Sequence, residues 1–183
     1  MSSPARIPVT TTYLQMTAPP ERIAARAPRD GLTVVHCPRP TVSFYRYLYN
    51  TVGRPWWWVD RRRMSDEQLA QIIQDPLDEV HVLYADGCPA GYAELDRRQQ
   101  GEVELAYFGL MPEHIGQGLG RYLIDWAIAR AWTYAPRRFW LHTCTLDHER
   151  ALDFYQQAGF TPYKQEETLS DDPRTSGLFD ERT

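Results

Sequence analysis

The chain of 183 residues contains almost no lysine: Lys164 is its only one, and the remaining 19 of its 20 basic residues are arginine. This scarcity excludes the P-loop of nucleotide-binding proteins, because that motif places a lysine directly after its last glycine. No uninterrupted apolar run approaches the roughly 20 residues that a membrane-spanning helix needs, so we expect no membrane span. The formal net charge of −4 argues against a general nucleic-acid binder.

Cysteine is also scarce. Cys37, Cys88 and Cys144 are odd in number and far apart, which argues against a disulfide framework. His142 and His148 flank Cys144, but this spacing matches no recurrent zinc pattern and a fourth ligand is missing. We therefore expect no metal.

The composition suffices for one globular domain. Hydrophobic residues make up 43% of the chain and aromatic residues 13%, enough for a substantial core. We expect a single domain over residues 1–183, in which the polar segment 169–183 is mobile. The first 13 residues lack the apolar core of a secretory signal, so we expect the protein to act in the cytoplasm.

Apolar periodicity and turn residues predict an α/β order of strands and helices. Ser65 and Gln68 suit a capping box at the second helix, and residues 86–89 suit a hairpin turn. The predicted strands cover residues 9–16, 32–37, 80–85, 90–96, 102–110, 138–147 and 161–168. The predicted helices cover residues 41–50, 65–74, 119–132 and 148–158.

A glycine-rich turn stands between the predicted strand 102–110 and the helix that follows it. Gly116, Gly118 and Gly120 allow the backbone to pass close to a ligand and to take positive φ angles, so that successive N–H groups can converge on an anion. The helix N-terminus adds unpaired amides and its dipole, and Arg121 adds a cation in the first turn. The turn therefore predicts a phosphate-binding cradle.

The turn resembles motif A of the GNAT superfamily, the acyl-coenzyme A dependent N-acyltransferases, whose pattern is Gln/Arg-x-x-Gly-x-Gly/Ala. Residues 115–120 read Ile-Gly-Gln-Gly-Leu-Gly, so Ile115 stands where the family has a polar residue. The segment 147–160 is similar to motif B, and we expect Asp147 to cap its helix and Gly159 to end it. The matching motif B positions are His148, Ala151, Tyr155, Gly159 and Phe160, of which His148 departs from the family's asparagine.

This resemblance implies an α/β fold with a mixed, mostly antiparallel central sheet, flanked by helices and splayed at the acyl-coenzyme A site. It implies an N-acetyltransferase that uses acetyl-CoA as cosubstrate and acetylates a primary amine by direct attack in a ternary complex. The implied acceptor is a small molecule or a peptide, not a nucleic acid or a membrane, and a homodimer is compatible with it. The implied coenzyme contacts are Leu110, Ile115, Gly116, Gln117, Gly118, Leu119, Gly120 and Arg121.

Two residues carry the expected proton transfers. The resemblance implies Glu104 as the general base and Tyr155 as the acid near the thioester sulfur, since a phenol is a protonated donor at neutral pH. Strand alternation predicts that Glu102, Glu104, Ala106 and Phe108 share one face. The alternatives are that Glu104 lies on a solvated face and that Tyr155 only packs in the core.

The acceptor wall is expected between the first two predicted helices. We predict that Trp56, Trp57 and Trp58 bind the substrate together with Glu102, because aromatic faces attract a cationic amine. The alternative is a hydrophobic cap over the sheet. Residues 61–63, three arginines, suit a solvated face or a contact to the coenzyme's 3′-phosphate or an acidic acceptor. A catalytically silent acyl-CoA binding or sensing module remains the alternative function.

Overall fold

The computed structural model describes residues 5–21 and 25–179. Its strands are β1 (Arg6–Met16), β2 (Leu32–Cys37), β3 (Asp78–Ala85), β4 (Cys88–Asp96), β5 (Glu102–Leu110), β6 (Arg138–Cys144) and β7 (Thr161–Asp171). Its helices are α1 (Val42–Gly53), α2 (Asp66–Ile73), α3 (Leu119–Trp132) and α4 (Ala151–Gln157). Short 3₁₀ turns cover Arg54–Trp56, Pro112–His114 and Pro173–Thr175. None of the helices in the described residues has the length and hydropathy that a membrane crossing requires.

Local capping explains where the first two helices begin. The Thr41 hydroxyl accepts a hydrogen bond from the Phe44 N–H at 3.3 Å, which satisfies one free amide at the start of α1. Ser65 and Gln68 form the predicted capping box at α2, in which each side chain accepts from the other residue's backbone N–H. The sequence prediction of the start of α2 is therefore confirmed.

The fourth helix begins later than predicted. Because α4 starts at Ala151, the prediction that Asp147 caps a helix from residue 148 is wrong. Asp147 instead closes the end of β6: its Oδ2 accepts hydrogen bonds from the Thr143 hydroxyl at 2.8 Å and from the Cys144 N–H at 2.9 Å. These bonds turn the chain, and β6 ends at Cys144 rather than at residue 147.

The seven strands form one sheet in the order β2-β3-β4-β5-β6-β1-β7. Every neighbouring pair is antiparallel except β5 with β6, and helices cover both faces. The prediction of a mixed, mostly antiparallel sheet flanked by helices is confirmed. β1 lies between β6 and β7, so the earliest strand of the described chain is paired on both sides with strands from its last quarter.

The parallel pairing of β5 with β6 is short. Residues 102–104 of β5 pair with residues 138–140 of β6, and the register ends there. Both strands continue beyond it, β5 to Leu110 and β6 to Cys144. The sheet is therefore open between the carboxyl-terminal parts of these two strands.

A β-bulge interrupts β5 at Ala106. Glu94 of β4 lies opposite Tyr107, whereas the next residue, Leu95, lies opposite Leu105. Two steps along β5 therefore correspond to one step along β4, and Ala106 is the extra residue.

The bulge changes which residues share a face of the sheet. Leu105 and Phe108 both pack on the same hydrophobic core. In a regular strand two residues that are three positions apart would lie on opposite faces of the sheet. Glu104 precedes the bulge and lies on the face opposite Phe108. The prediction that residues 102, 104, 106 and 108 share one face is wrong, because a period of two does not pass through an extra residue.

Each face of the sheet carries its own core. The apolar core lies under α3 and α4, and its buried members include Leu14, Leu105, Leu123, Ala127, Phe139 and Phe160. The second core lies under α1 and α2, and it is called the polar core here because its aliphatic side chains are packed with three fully buried tyrosines, Tyr45, Tyr49 and Tyr92, and with the ion pair of Arg61 with Glu94.

The segment that follows β7 returns to the region between α1 and α2. β7 continues to Asp171 rather than ending at residue 168, and a 3₁₀ turn follows at Pro173–Thr175. The Phe179 ring then packs at 5.0 Å from the Trp57 ring. Residues 169–171 therefore belong to β7 and residues 173–175 to a 3₁₀ turn, residues 180–183 lie outside the described part, and the mobility of the segment 169–183 stays a prediction.

Candidate active site

A cavity of about 600 Å³ lies at the opening between β5 and β6. It is lined by β5 from Leu105 onward, β6 and the loop that follows, α4, and the segment between α1 and α2, with part of β1 and the end of β7 at a further side. The predicted site residues that line it are Trp56, Trp57, Trp58, Leu110, Ile115, Gly120 and Tyr155. The cavity thus brings together parts of the predicted coenzyme site, the predicted acid and the predicted acceptor wall.

The glycine turn has the backbone conformation that an anion cradle needs. Gly116 has φ 82° and Gly118 has φ 76°, as predicted, and Gly118 forms the N-terminal boundary of α3. A Cβ placed on Gly116 or Gly118 would meet no atom within 4 Å, so space for a ligand is open beside the backbone. Because the first amides of α3 have no partner within the helix, the turn fits the pyrophosphate of an acyl-coenzyme A.

The polar side chains of the turn are bound to the protein itself. The Gln117 amide donates to the Glu113 carbonyl at 2.8 Å, which folds it back onto the preceding 3₁₀ turn. The Arg121 guanidinium donates to the Asp125 carboxylate at 3.0 Å and to the Gln157 carbonyl at 3.2 Å, which joins α3 to α4. Backbone amides, rather than these side chains, are therefore the free donors of the cradle.

The last residues of β5 offer one further backbone donor. The Met111 N–H donates to the Ala90 carbonyl of β4 at 2.9 Å. Successive N–H groups along a strand point to opposite edges, so the Leu110 N–H is directed away from β4 and toward the opening. This amide is suited to bind a carbonyl oxygen in the cavity.

Tyr155 of α4 lines the same cavity. Its ring packs against Phe108 and Phe160 of the apolar core, with both ring centroids at 6.2 Å. Burial, and to a smaller extent the Asp147 carboxylate, raises the pKa of this phenol above its usual value. The hydroxyl is therefore protonated at neutral pH and able to donate a proton, while the ring has the packing role of the alternative interpretation.

The two predicted glutamates lie outside this cavity. Glu104 lines a separate cavity of about 300 Å³ together with Trp140, and its Oε1 is 3.5 Å from Nδ1 of His142. His142 itself lines the large cavity. Glu102 is paired with Arg138 at 2.6 Å and lines neither cavity, so nothing in its position connects it to the acceptor.

Trp58 belongs to the wall of the large cavity and to the polar core at once. Its ring packs between Tyr49, at 5.4 Å, and Tyr107, at 5.1 Å. Its indole N–H donates to the Asp147 carboxylate at 3.3 Å. Asp147 therefore holds the end of β6 and the tryptophan wall together.

Trp56 and Trp57 are directed to different neighbours. The Trp56 ring lies 5.0 Å from the His148 ring, on the loop between β6 and α4. Trp57 has a positive φ of 58° and meets Phe179. The three consecutive tryptophans thus contact three different parts of the chain, and all three line the cavity.

The three arginines of residues 61–63 do not form one solvated face. Arg61 is 6% exposed, and its Nη2 is 2.7 Å from the Glu94 carboxylate, so that prediction is wrong for Arg61. Arg62 lies over the Phe179 ring at 4.5 Å. Arg63 is exposed and lines the cavity, where it remains available to an anionic group. The burial of Arg61 could not be predicted from the sequence, because its partner Glu94 lies on a strand that is distant in sequence.

The described residues contain one group with the donor set of a metal site, away from the large cavity. His36, Glu79 and His81 have ligand atoms within 4.8 Å of one another. Glu79, however, already pairs with Arg97 at 3.0 Å and Arg130 at 3.1 Å. Two guanidinium groups on the same carboxylate oppose a metal cation electrostatically, so we interpret this group as an ion-pair cluster.

A known protein family matches most of the chain. The model of the acetyltransferase (GNAT) family matches residues 44–160. An uncharacterised N-acetyltransferase of Mycobacterium bovis is 31% identical over 97 residues, which cover 53% of this chain and 62% of that relative. The chain therefore spans about three fifths of the length of the curated relatives it matches.

Solved structures share the fold. A GCN5-related N-acetyltransferase from Sphaerobacter thermophilus superposes with a TM-score of 0.61 at 16% identity, over 91% of this chain and 52% of that chain. A functionally unknown conserved protein from Staphylococcus epidermidis has a TM-score of 0.64 at 16% identity, over 91% of this chain and 63% of that chain. At these identities the similarity concerns the fold alone.

Proposed function

This chain belongs to the GNAT acetyltransferase family, and from that premise we propose that it transfers the acetyl group of acetyl-CoA to a primary amine by direct attack in a ternary complex. The observation that carries the proposal is one cavity lined by the predicted acid Tyr155, by Gly120 of the glycine turn and by an aromatic wall. The acceptor that we propose is a small amine or the amine of a peptide.

The coenzyme side is assigned to the glycine turn. Acetyl-CoA supplies an acetyl thioester, whose carbonyl carbon is open to attack by an amine. The amides at residues 116–121 would bind the pyrophosphate, because two glycines with positive φ and a helix N-terminus direct N–H groups to one place. The Leu110 N–H would bind the thioester oxygen and stabilise the charge that develops on it. Tyr155 would donate a proton to the departing sulfur.

The acceptor side is assigned to the segment between α1 and α2. Trp56, Trp57 and Trp58 give the cavity an aromatic wall, and Asp60 and Asp147 add carboxylates to its lining. Aromatic faces and carboxylates both attract a cation, so this wall favours an amine that is protonated in solution. The cavity volume favours an acceptor of small size, or the terminal part of a peptide.

A thiol-release assay tests the proposal. The purified chain is screened with acetyl-CoA against phenethylamine, spermidine, free amino acids and short peptides, and acetyl-CoA affinity is measured in parallel by calorimetry. We expect turnover with at least one amine. Tyr155→Phe should slow that turnover by about a hundredfold or more, which is the size of effect expected when a general acid is lost. Full turnover by Tyr155→Phe contradicts the acid role.

Two further variants separate the parts of the site. Gly118→Val adds a branched side chain where φ is positive and should weaken acetyl-CoA binding sharply. Ile115→Ala is the matched variant of the same turn and should affect binding much less. Tight binding of acetyl-CoA without turnover of any amine would instead favour a silent sensing module.

A further inference from the structure

The apex of the opening between β5 and β6 holds a carboxylate and an imidazole together. Glu104 is the last residue of β5 that pairs with β6, and its partner there is Trp140. His142 follows two residues later on β6, where the pairing has ended. Its Nδ1 is 3.5 Å from Glu104 Oε1.

The imidazole lies between the carboxylate and the large cavity. His142 lines the large cavity, whereas Glu104 lines the smaller one beside Trp140. A general base has to be within hydrogen-bond reach of the proton that it accepts. An amine beside the tryptophan wall would therefore meet His142 before it could meet Glu104.

The position of the imidazole is fixed by its neighbours. The Tyr13 ring, from the strand next to β6, lies 5.8 Å from the His142 ring, and the Trp140 ring lies at 6.5 Å. A carboxylate beside Nδ1 favours the tautomer with its proton on Nδ1, and this leaves Nε2 as the acceptor. The separation of 3.5 Å is long for a hydrogen bond, as is common at catalytic sites without substrate.

From this geometry we propose, resting on the acetyltransferase function above, that His142 is the general base of the reaction and Glu104 its positioning residue. Nε2 of neutral His142 accepts one proton from the acceptor ammonium. The free amine then attacks the thioester carbonyl: the carbon–nitrogen bond forms, the carbon–sulfur bond breaks, and Tyr155 protonates the sulfur. The second proton lost by the nitrogen restores Tyr155 through solvent, and His142 releases its proton to water, so that amide, thiol and one proton result.

The charges around His142 support this role. The hydrogen bond and the negative charge of Glu104 raise the pKa of His142 above its ordinary value, and Asp147 and Asp60 act in the same direction. The other titratable groups near it are Tyr13 on β1 and Cys144 on β6. The imidazole therefore stays protonated to a higher pH than that of a free histidine. Because only the neutral imidazole can accept a proton, kcat/KM should increase as the pH rises through this transition.

The pH profile of kcat/KM tests the proposal, with the most active amine of the screen as probe. His142→Gln should lower kcat/KM at neutral pH by about a hundredfold or more and abolish the acid limb of the profile. Glu104→Gln should retain the acid limb but move it to lower pH. Glu104→Asp keeps a carboxylate and should move the limb less than Glu104→Gln does. His148→Gln, which removes the other imidazole of the cavity, should retain the limb. Thermal unfolding of each variant shows that it is folded.

Two further measurements test the role of His142 without relying on the His142→Gln variant. Free imidazole added to His142→Ala should restore part of the lost rate. NMR titration of the imidazole resonances, which needs no acceptor, should show a lower pKa for His142 in Glu104→Gln than in the wild type. If His142→Gln keeps the acid limb of its pH profile and most of its kcat/KM, the assignment of His142 as base is wrong while the proposed function stands. The same holds if the acid limb disappears in Glu104→Gln but not in His142→Gln. Acetyl-CoA binding without turnover in the wild type defeats the proposed function itself, and the base assignment with it.

Discussion

The two cores of this protein, on opposite faces of one sheet, differ in the polar groups that are buried with them. The apolar core under α3 and α4 consists of aliphatic and aromatic side chains, and the buried ion-pair cluster of Glu79 lies on the same face, paired with Arg130 of α3. The polar core under α1 and α2 buries three tyrosines and the Arg61–Glu94 ion pair. The apolar core supports the glycine turn, for which we propose binding through the backbone, and generic packing is sufficient for that task. The polar core supports the tryptophan wall, where side chains would select the acceptor.

This difference means that the two faces depend on different interactions. Loss of a methylene group in the apolar core leaves a cavity, whose cost is set by volume. Loss of one partner in the polar core leaves a buried polar group without compensation, whose cost is set by desolvation. Substitutions on the two faces should therefore differ in the physical origin of their effect and in its dependence on pH.

The largest effect is expected for Arg61→Met. Glu94 is fully buried, accepts from Arg61 at 2.7 Å and also accepts from the Tyr45 hydroxyl. Without the guanidinium its carboxylate is an uncompensated buried charge, so the free energy of unfolding should fall by about 3–5 kcal/mol. Urea unfolding at neutral pH measures the change.

The matched variants of that experiment are Arg63→Met and the double variant Arg61→Met with Glu94→Leu. Arg63 is exposed, so its replacement should change the free energy of unfolding by less than about 0.5 kcal/mol. The double variant removes both charges and should regain much of the loss. A loss below about 1 kcal/mol in the single variant would show that the ion pair does not distinguish this core from the apolar one.

A smaller effect is expected where the polar core meets the tryptophan wall. A Cβ on Gly53 would lie 2.5 to 2.7 Å from three atoms of Trp58, so Gly53→Ala requires this ring to move. Overpacking of this kind should reduce the free energy of unfolding by about 1–3 kcal/mol. Because Trp58 also donates to Asp147, the KM of the acceptor should rise while acetyl-CoA affinity is retained. Thr51→Ala, in the same helix, is the control, and an unchanged acceptor KM in Gly53→Ala would contradict the link.

The last effect, and the smallest per pH unit, is a dependence of the free energy of unfolding on pH, to which the polar core contributes through Asp78. Burial, together with the nearby Glu94 carboxylate, raises the pKa of Asp78 to about 9. Between its ordinary value and about 9 the folded protein holds a proton that the unfolded chain has released, so stability falls as the pH rises through this range. The slope from this group is at most about 1.4 kcal/mol per pH unit.

Urea unfolding between about pH 6 and pH 9 measures that slope. Asp78→Asn removes the titrating proton and should flatten the dependence. Leu123→Ala, in the apolar core, should lower the free energy of unfolding by about 2–5 kcal/mol but leave the slope as it is in the wild type. Equal slopes for Asp78→Asn and the wild type would assign the pH dependence to other groups.

Features that arise from neighbours in sequence could be predicted. The glycine turn, the capping box at Ser65 and the order of strands and helices each depend on local spacing, and the structure has them where local rules put them. Gly116 and Gly118 were predictable because their positive φ angles are a property of single residues.

Features that arise from pairing between distant strands could not be predicted. The bulge at Ala106 depends on the register of β5 against β4, and it moved Phe108 to the face opposite Glu104. The burial of Arg61 depends on Glu94, which is 33 residues away. Asp147 has the local features of a helix cap, but its carboxylate accepts hydrogen bonds from the end of β6 and from Trp58 instead. At Ala106 and Arg61 a tertiary contact outweighed a local preference, whereas at Asp147 a local turn with Thr143 and Cys144, together with the distant Trp58, outweighed the helix cap.

The position of β1 has a consequence for the time at which the protein becomes active. The ribosome makes residues 6–16 long before both strands that flank them, because those strands belong to residues 138–171 and 121 residues of chain lie between β1 and β6. Contacts this distant in sequence form slowly, because a long loop has to close before they stabilise anything. β3, β4 and β5 can pair with one another much earlier in synthesis. On refolding, we therefore expect acetyl-CoA binding, which we have proposed for the opening beside β6, to appear with the slowest phase.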